Sequence, residues 1–212
     1  MSAETPASAA AMQQGFEQLK AGAFEDAIDS FTACLAIQPR QSDGAERGQP
    51  DAALARRGRG MAFQQLQRWA EAAEDFSAAR DLAPQELDNW VDLGISLSGD
   101  KRFYPALEVF DTLLAQHPTY FRGHLEVGLL HVRLGAIPKG REHLQRALTC
   151  RPTSEQRRKV EALLGEQARM DHKRWYRPDF EALHRQEQVA AEHGWPARLR
   201  RWWQARRSAS SK

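Results

Sequence analysis

Small, aromatic and proline residues return along this chain at a fixed interval, and polar residues fill the stretches between them. Gly60, Gly94 and Gly128 stand 34 residues apart, Phe76, Phe110 and Leu144 keep that spacing, and so do Pro84, Pro118 and Pro152. Such a period predicts a helix–turn–helix unit repeated in series, each unit burying its apolar face on its neighbours. No segment alternates apolar and polar residues as a half-buried strand would, so the expected fold class is all-α.

Packing accounts for the marks. Small residues at Gly60, Gly94, Gly128, Ala27, Ala72 and Ala106 would let the two antiparallel helices of a unit approach closely. Phe31, Phe76, Phe110 and Leu144 would then plug the gap to the next unit, and Pro39, Pro84, Pro118 and Pro152 would end each second helix. A first copy runs through Gly15, Leu19, Gly22, Phe24, Ala27, Phe31, Cys34 and Pro39. Its landmarks precede those of the second by 45 residues, so eleven residues are inserted between them. The insertion, from Arg40 to Pro50, is polar and holds Gly44 and Gly48. It reads either as a tolerated surface loop, since closing a longer loop is entropically cheap, or as a flap that touches a ligand.

The third unit carries Trp90, Leu93, Gly94 and Leu97, then Ala106, Phe110, Leu113 and Pro118. The second carries Gly60, Phe63, Leu66, Trp69, Ala72, Phe76, Ala79 and Pro84, with Arg56 and Arg59 where apolar residues are usual. The fourth carries Val127, Gly128, Leu134, Gly135, Leu144, Ala147 and Pro152, with His124, His131 and Gly140 as departures. This pattern resembles the tetratricopeptide repeat. The resemblance implies a right-handed α-solenoid over residues 8–152, with units 8–41, 53–86, 87–120 and 121–152 and an insertion loop at 42–52.

In that family the first helices of successive units line a concave groove that binds protein or peptide. Carried over, the groove positions are Met12, Phe16 and Leu19, then Arg57, Met61 and Gln64, then Val91, Ile95 and Ser98, and last Leu125, Leu129 and Val132. The resemblance implies a mostly apolar groove, with Arg57, Arg122 and Arg133 near it and Asp88, Asp92 and Glu126 as counter-charges. The carboxylate clamp of the family's co-chaperones is missing: Met12, Phe16 and Gly58 stand at its positions, and Asp88 and Asp92 would repel a carboxylate. A chaperone C-terminal tail is therefore not the expected partner. A scaffold, adaptor or assembly factor for another protein is.

Charge separates the repeats from the C-terminal quarter of the chain. Residues 1–152 carry 16 basic and 20 acidic side chains, whereas 153–212 carry 14 and 8, so the basic character belongs to the tail. Residues 1–7 read as a disordered N-terminus without the basic leader and apolar core of a secretory signal, and no run approaches a membrane-spanning helix. Cys34 and Cys150 fall two repeats apart, which argues against a disulfide between them. A reducing, cytoplasmic setting fits. Thr153, Ser154, Glu155 and Gln156 can cap a closing helix over 153–176, whose Val160, Leu163, Leu164 and Ala168 form one apolar stripe. In the tail at 177–212, Pro178 suits a first helical turn with Phe180, Leu183 and Val189 facing inward. Trp195, Leu199, Trp202 and Trp203 then lie beside Arg198, Arg201, Arg206 and Arg207. That element can pack on preceding helices, fold back into the groove, anchor a protein, stack on nucleic acid, or lie on an anionic membrane.

No catalytic constellation emerges, and neither cofactor nor metal is expected. The chain lacks a phosphate-cradling glycine loop, a serine nucleophile elbow and a zinc-spaced cysteine or histidine cluster. His124 and His131 are separated by about 10.5 Å of helical rise, too far to share one metal comfortably, and read as packed residues. His143 on the paired helix is the third that could join them. Glu25 with Asp26, and Glu74 with Asp75, read as acids at second-helix starts that complement the helix dipole.

Overall fold

Each expected unit becomes two helices closed by a left-handed turn. The structure, a computed structural model, describes residues 4–37 and 50–173. Among these, four pairs succeed one another: α1 (Glu4–Ala21) with α2 (Phe24–Ile37), α3 (Pro50–Gln65) with α4 (Trp69–Leu82), α5 (Leu87–Gly99) with α6 (Phe103–Gln116), and α7 (Phe121–Arg133) with α8 (Ile137–Thr149). A closing helix, α9 (Ser154–Lys173), packs on α8. Every helix packs on the next in chain order, and first helices also meet directly, α1 with α3 and α5 with α7. The described residues form an all-α solenoid without strands.

The turn inside each unit is set by one residue. Gly22, Gln67, Lys101 and Gly135 have φ of 80, 58, 61 and 74°, and the last three stand one period apart. The next residue's N–H then reaches back to the preceding helix, as in Arg68 N to Phe63 O at 2.9 Å and Arg102 N to Leu97 O at 2.8 Å. This is the bond that closes a helix through a left-handed residue, a conformation open to glycine and costing other residues about 1–2 kcal/mol. Lys101→Gly should therefore stabilise the protein by about 0.5–1 kcal/mol after glycine's greater freedom when unfolded is set against the relief. A urea midpoint that falls would contradict this account of the turn.

Glycines admit the plugging rings. A Cβ on Gly15 would lie 2.8 Å from Phe31 Cζ, and one on Gly58 would lie 2.6 Å from Phe31 Cε1. One ring from α2 thus closes on α1 and α3 together, while Phe16 meets it edge-on at 5.0 Å. Phe76 lies against Gly60, Phe110 against Gly94, and Leu144 against Gly128 in the same manner. The small and large marks of the period are the two sides of these contacts.

Several boundaries and assignments differ from expectation. α1 begins at Glu4, inside the stretch expected to be disordered, and Pro50 opens α3, shortening the expected loop. Proline favours the first helical position because its ring presets φ and its missing N–H would be unpaired there anyway. Thr153 caps α9 reciprocally with Gln156, the Thr153 N–H donating to Gln156 Oε1 at 2.9 Å and the Gln156 N–H to Thr153 Oγ1 at 3.2 Å. Val160 is buried against Leu125, Leu144 and Ala147, with Leu163 and Leu164 beside it.

Glu25 and Asp26 lie in the first turn of α2, but Glu74 and Asp75 do not open α4, whose first-turn acid is Glu71. Asp75 is instead buried and answers the two arginines that broke the apolar pattern of α3. Arg59 donates to its two oxygens at 2.7 and 2.8 Å, and Arg56 stands at 3.5 Å. Cys34 is buried, whereas Cys150 is half-buried at the end of α8; both are free. Pro39, most of the insertion, and the tail residues Trp195, Arg198, Arg201, Trp202, Trp203 and Arg206 lie outside the described residues.

Candidate functional site

The inward sides of α3, α5 and α7 share one face, and the twelve expected groove residues divide upon it. Met61 is 39% exposed, and Leu54, two turns earlier on the same side of α3, is 42% exposed. Ile95 and Leu129 are half-buried and open onto a shared pocket. Val91 and Leu125 are buried in the packed interior and do not present side chains to a partner, while Ser98, largely buried, reaches the pocket wall and is held there by Arg133. Met12, Phe16 and Leu19 pack partly against the core of the first unit, with Phe16 on Phe31. Gln64 is taken up by the neighbouring helix, its Nε2 donating to Asp92 O at 3.1 Å and Ser96 Oγ at 2.8 Å. Val132 faces Gly140 of the paired helix.

Between the apolar positions runs a ladder of charges that joins three units. Arg57 of α3 donates to Asp88 Oδ2 at 3.2 Å and lies 3.8 Å from Asp92 on α5. Arg122 of α7 donates to Asp88 Oδ1 at 2.8 Å and also to Asp92 Oδ1. The Tyr120 hydroxyl adds a third donor to Asp88 at 2.6 Å. Burial works against ionised Asp88, yet the hydrogen bonds from Tyr120 and Arg122 and the two arginine charges win, holding its carboxyl below the usual range. Burial dominates at Asp92 and pushes its carboxyl up. Burial also pulls on Arg122, but Asp92 and Asp88 outweigh it and keep the guanidinium charged. Tyr120 is pushed up by burial and by its bond to Asp88.

The two aspartates that would repel a carboxylate are thus paired with arginines of the adjacent units. The sequence reading had Asp88 and Asp92 as counter-charges without saying which arginine each meets, although a signal was present: Asp88 and Arg122 occupy the same repeat position one period apart, with opposite charges. Like-register residues of successive units face each other in a stacked array, so opposite signs there predict a bridge.

The shared pocket, about 240 Å³ and open to solvent, lies where α5 meets α7. Trp69, Ile95, Phe110, Leu129 and Leu130 supply apolar wall, and Ser98, Glu126 and Arg133 supply polar atoms. Trp69 reaches it by lying against Gly99, where a Cβ would come 2.5 Å from the indole Cε3. Arg133 donates to Ser98 Oγ at 3.2 Å and sits over the Phe103 ring, 5.4 Å from its centroid.

The three histidines meet on the other side of α7. His143 stands between His124 and His131, with ring centroids 5.4 and 5.5 Å away. His124 Nε2–H donates to Pro118 O at 2.9 Å, which leaves its Nδ1 as acceptor in the neutral ring, and His143 Nδ1–H donates to it at 3.2 Å. No group of three or more His, Cys, Asp or Glu among the described residues is placed to hold a metal ion.

Burial, then the neighbouring His124, pulls His143 down from 6.5 to about 4. The folded state therefore resists a proton that the unfolded chain accepts. Stability conferred by neutral His143 is full above about pH 6.5 and lost as pH falls towards about 4. Solvent screens the half-buried ring, so the loss should be about 1–2 kcal/mol. Urea unfolding at pH 7 and pH 5 should show a smaller decline in His143→Gln than in the native chain; equal declines would remove His143 as the cause.

The tetratricopeptide-repeat family pattern matches residues 12–86 and 92–155. Over 76 residues the chain is 33% identical to the mitochondrial import receptor subunit TOM70 of Rattus norvegicus, a stretch covering 36% of this chain and 12% of that protein. Among solved structures it is similar to MamA 41-end from Desulfovibrio magneticus RS-1, with a TM-score of 0.60, 19% identity, and coverage of 92% of this chain and 99% of that one. It is also similar to YrrB, described as a TPR protein with an unusual peptide-binding site, with a TM-score of 0.58, 16% identity, and coverage of 74% and 76%. At these identities the structural likeness speaks to the fold.

Proposed function

This chain belongs to the tetratricopeptide-repeat family, and on that premise we propose that it is a non-catalytic scaffold, an adaptor or assembly factor, that holds a partner protein on the face formed by α3, α5 and α7. The observation that carries this reading is where apolar surface remains open. Leu54 and Met61 are the large hydrophobic side chains left exposed among the described residues, and both lie on this face of α3. Ile95 and Leu129, which stand one and two periods beyond Met61, line the pocket beneath Trp69. Isolated exposed apolar residues need no explanation, but apolar residues open at one repeat position in three successive units, with fixed charges between them, offer a protein partner anchors in register. The peptide-binding site in the description of YrrB and the import-receptor role in the name of TOM70 are consistent with such a role.

Met61→Glu should weaken the partner complex at least tenfold while leaving the melt unchanged, because the side chain is exposed and supports no core contact. Ile95→Glu should act in the same direction at the pocket. Crosslinking at native abundance, followed by affinity measurement on the protein recovered, checks both. Normal binding by both variants would show that the partner sits elsewhere, with the basic tail as the next surface to test by salt-dependent retention on nucleic acid and by liposome flotation.

A further inference from the structure

Resting on the reading of this face as a partner-binding groove, we propose that the pocket between α5 and α7 receives an arginine or lysine side chain of the partner, its charged end on Glu126 and its stem along Trp69, Ile95 and Leu129. The two aspartates on this face are already matched, and Arg133 is a like charge on the pocket wall that an incoming cation has to lie clear of. Asp88 is held by Arg57, Arg122 and Tyr120, and Asp92 by Arg122 with Arg57 nearby. Arg133, on the pocket wall, is engaged with Ser98 and the Phe103 ring. Glu126 lines the same pocket and has no hydrogen bond or ion pair within the described residues; it feels Arg122 and Lys159 only as more distant charges.

An acid so placed is poorly solvated and poorly paired. Burial outweighs those two cations and pushes the Glu126 carboxyl above its usual range. A cation entering the pocket supplies the missing partner, and desolvated charge pairs discriminate strongly between partners. The walls select the kind of cation. Trp69, Ile95 and Leu129 offer apolar surface to a methylene stem, and long basic side chains bury such stems while their charged ends find a carboxylate. The repeat region as a whole carries more acidic than basic residues, which steers a basic segment towards it.

The test uses the full chain and pools of acetylated nine-residue peptides, randomised at the outer positions, with arginine, lysine, norleucine or glutamate fixed at the centre. Arginine and lysine pools should be retained at least fivefold more than the norleucine pool. Glu126→Gln, checked for an unchanged melt, should erase that preference and leave norleucine retention as it was, and Glu126→Lys should turn the preference towards glutamate. No preference in the native chain, or one that survives Glu126→Gln, overturns the proposal. If Met61→Glu still weakens the partner complex in that event, the groove reading stands without this pocket. If the preference emerges only when Arg198, Arg200 and Arg201 are replaced by glutamine, the chain's own tail is the occupant and the proposal of a partner's side chain falls.

Discussion

Gly94→Leu should lower stability by about 3 kcal/mol, which for a chain of this size is a fall of roughly 6–12 °C in Tm. A Cβ at this position would lie 2.7 Å from Phe110 Cε2 and closer still to Cζ, so even alanine requires something to move. Phe110 cannot retreat easily. It is 1% exposed and packed in the central cluster with Leu113, Val127 and Leu130. Interiors packed to crystal density answer added volume with shifted backbone and displaced rotamers rather than compression. Gly22→Ala is the control: no atom lies within 4 Å of its Cβ, so only the left-handed backbone of the turn opposes it, by about 1 kcal/mol. Thermal melts of the pair should keep this order, and a native-like melt for Gly94→Leu would refute the account of unit packing.

Arg59→Leu should lose about 2–4 kcal/mol, whereas Asp75→Ala should lose less. The side chain of Asp75 is 3% exposed, so removing the arginine that donates to both of its oxygens strands a carboxylate out of water with only Arg56 at 3.5 Å. Breaking a buried pair from the side of the exposed partner carries this penalty because the remaining charge has no route to solvent. Removing Asp75 instead leaves Arg56 and Arg59, whose side chains are 32% and 21% exposed and can turn outwards. Urea unfolding of the two variants decides the matter: a larger loss for Asp75→Ala would mean that the carboxylate packs well without its cations. Replacing all three residues by apolar ones of similar volume should come close to native stability.

The contrast between these two sites shows how much could be read from the chain. Gly94 and Phe110 repeat at 34-residue spacing, and a repeat tests each inference several times, so both marks were legible before any helix was placed, although the ring was expected against the next unit and lies on the glycine of its own. Arg59 and Asp75 break the repeat. Arg59 was visible as a departure, but its partnership with Asp75 crosses from α3 to α4 and matches no family position, so Asp75 passed for an acid at a second-helix start. On the candidate face the helices and the register were foreseeable, while accessibility was not. Val91 and Met61 were both assigned to the groove, yet one is sealed and the other open, and even at the single repeat position of Met61, Ile95 and Leu129 only Met61 is exposed. Glu126 was recognised as a counter-charge. That it lacks a partner becomes visible only after Arg57 and Arg122 are seen to be paired with Asp88 and Asp92.

The ring of Phe31, lodged between Gly15 and Gly58, ties the first helix pair to the second through α1 and α3 rather than through the chain that links them. Docking of the first pair on the second is thereby a matter of side-chain fit among the described helices. Lengthening the chain between Ile37 and Pro50 should therefore leave the urea midpoint in place, so that what the added length does to partner affinity can be measured apart from folding.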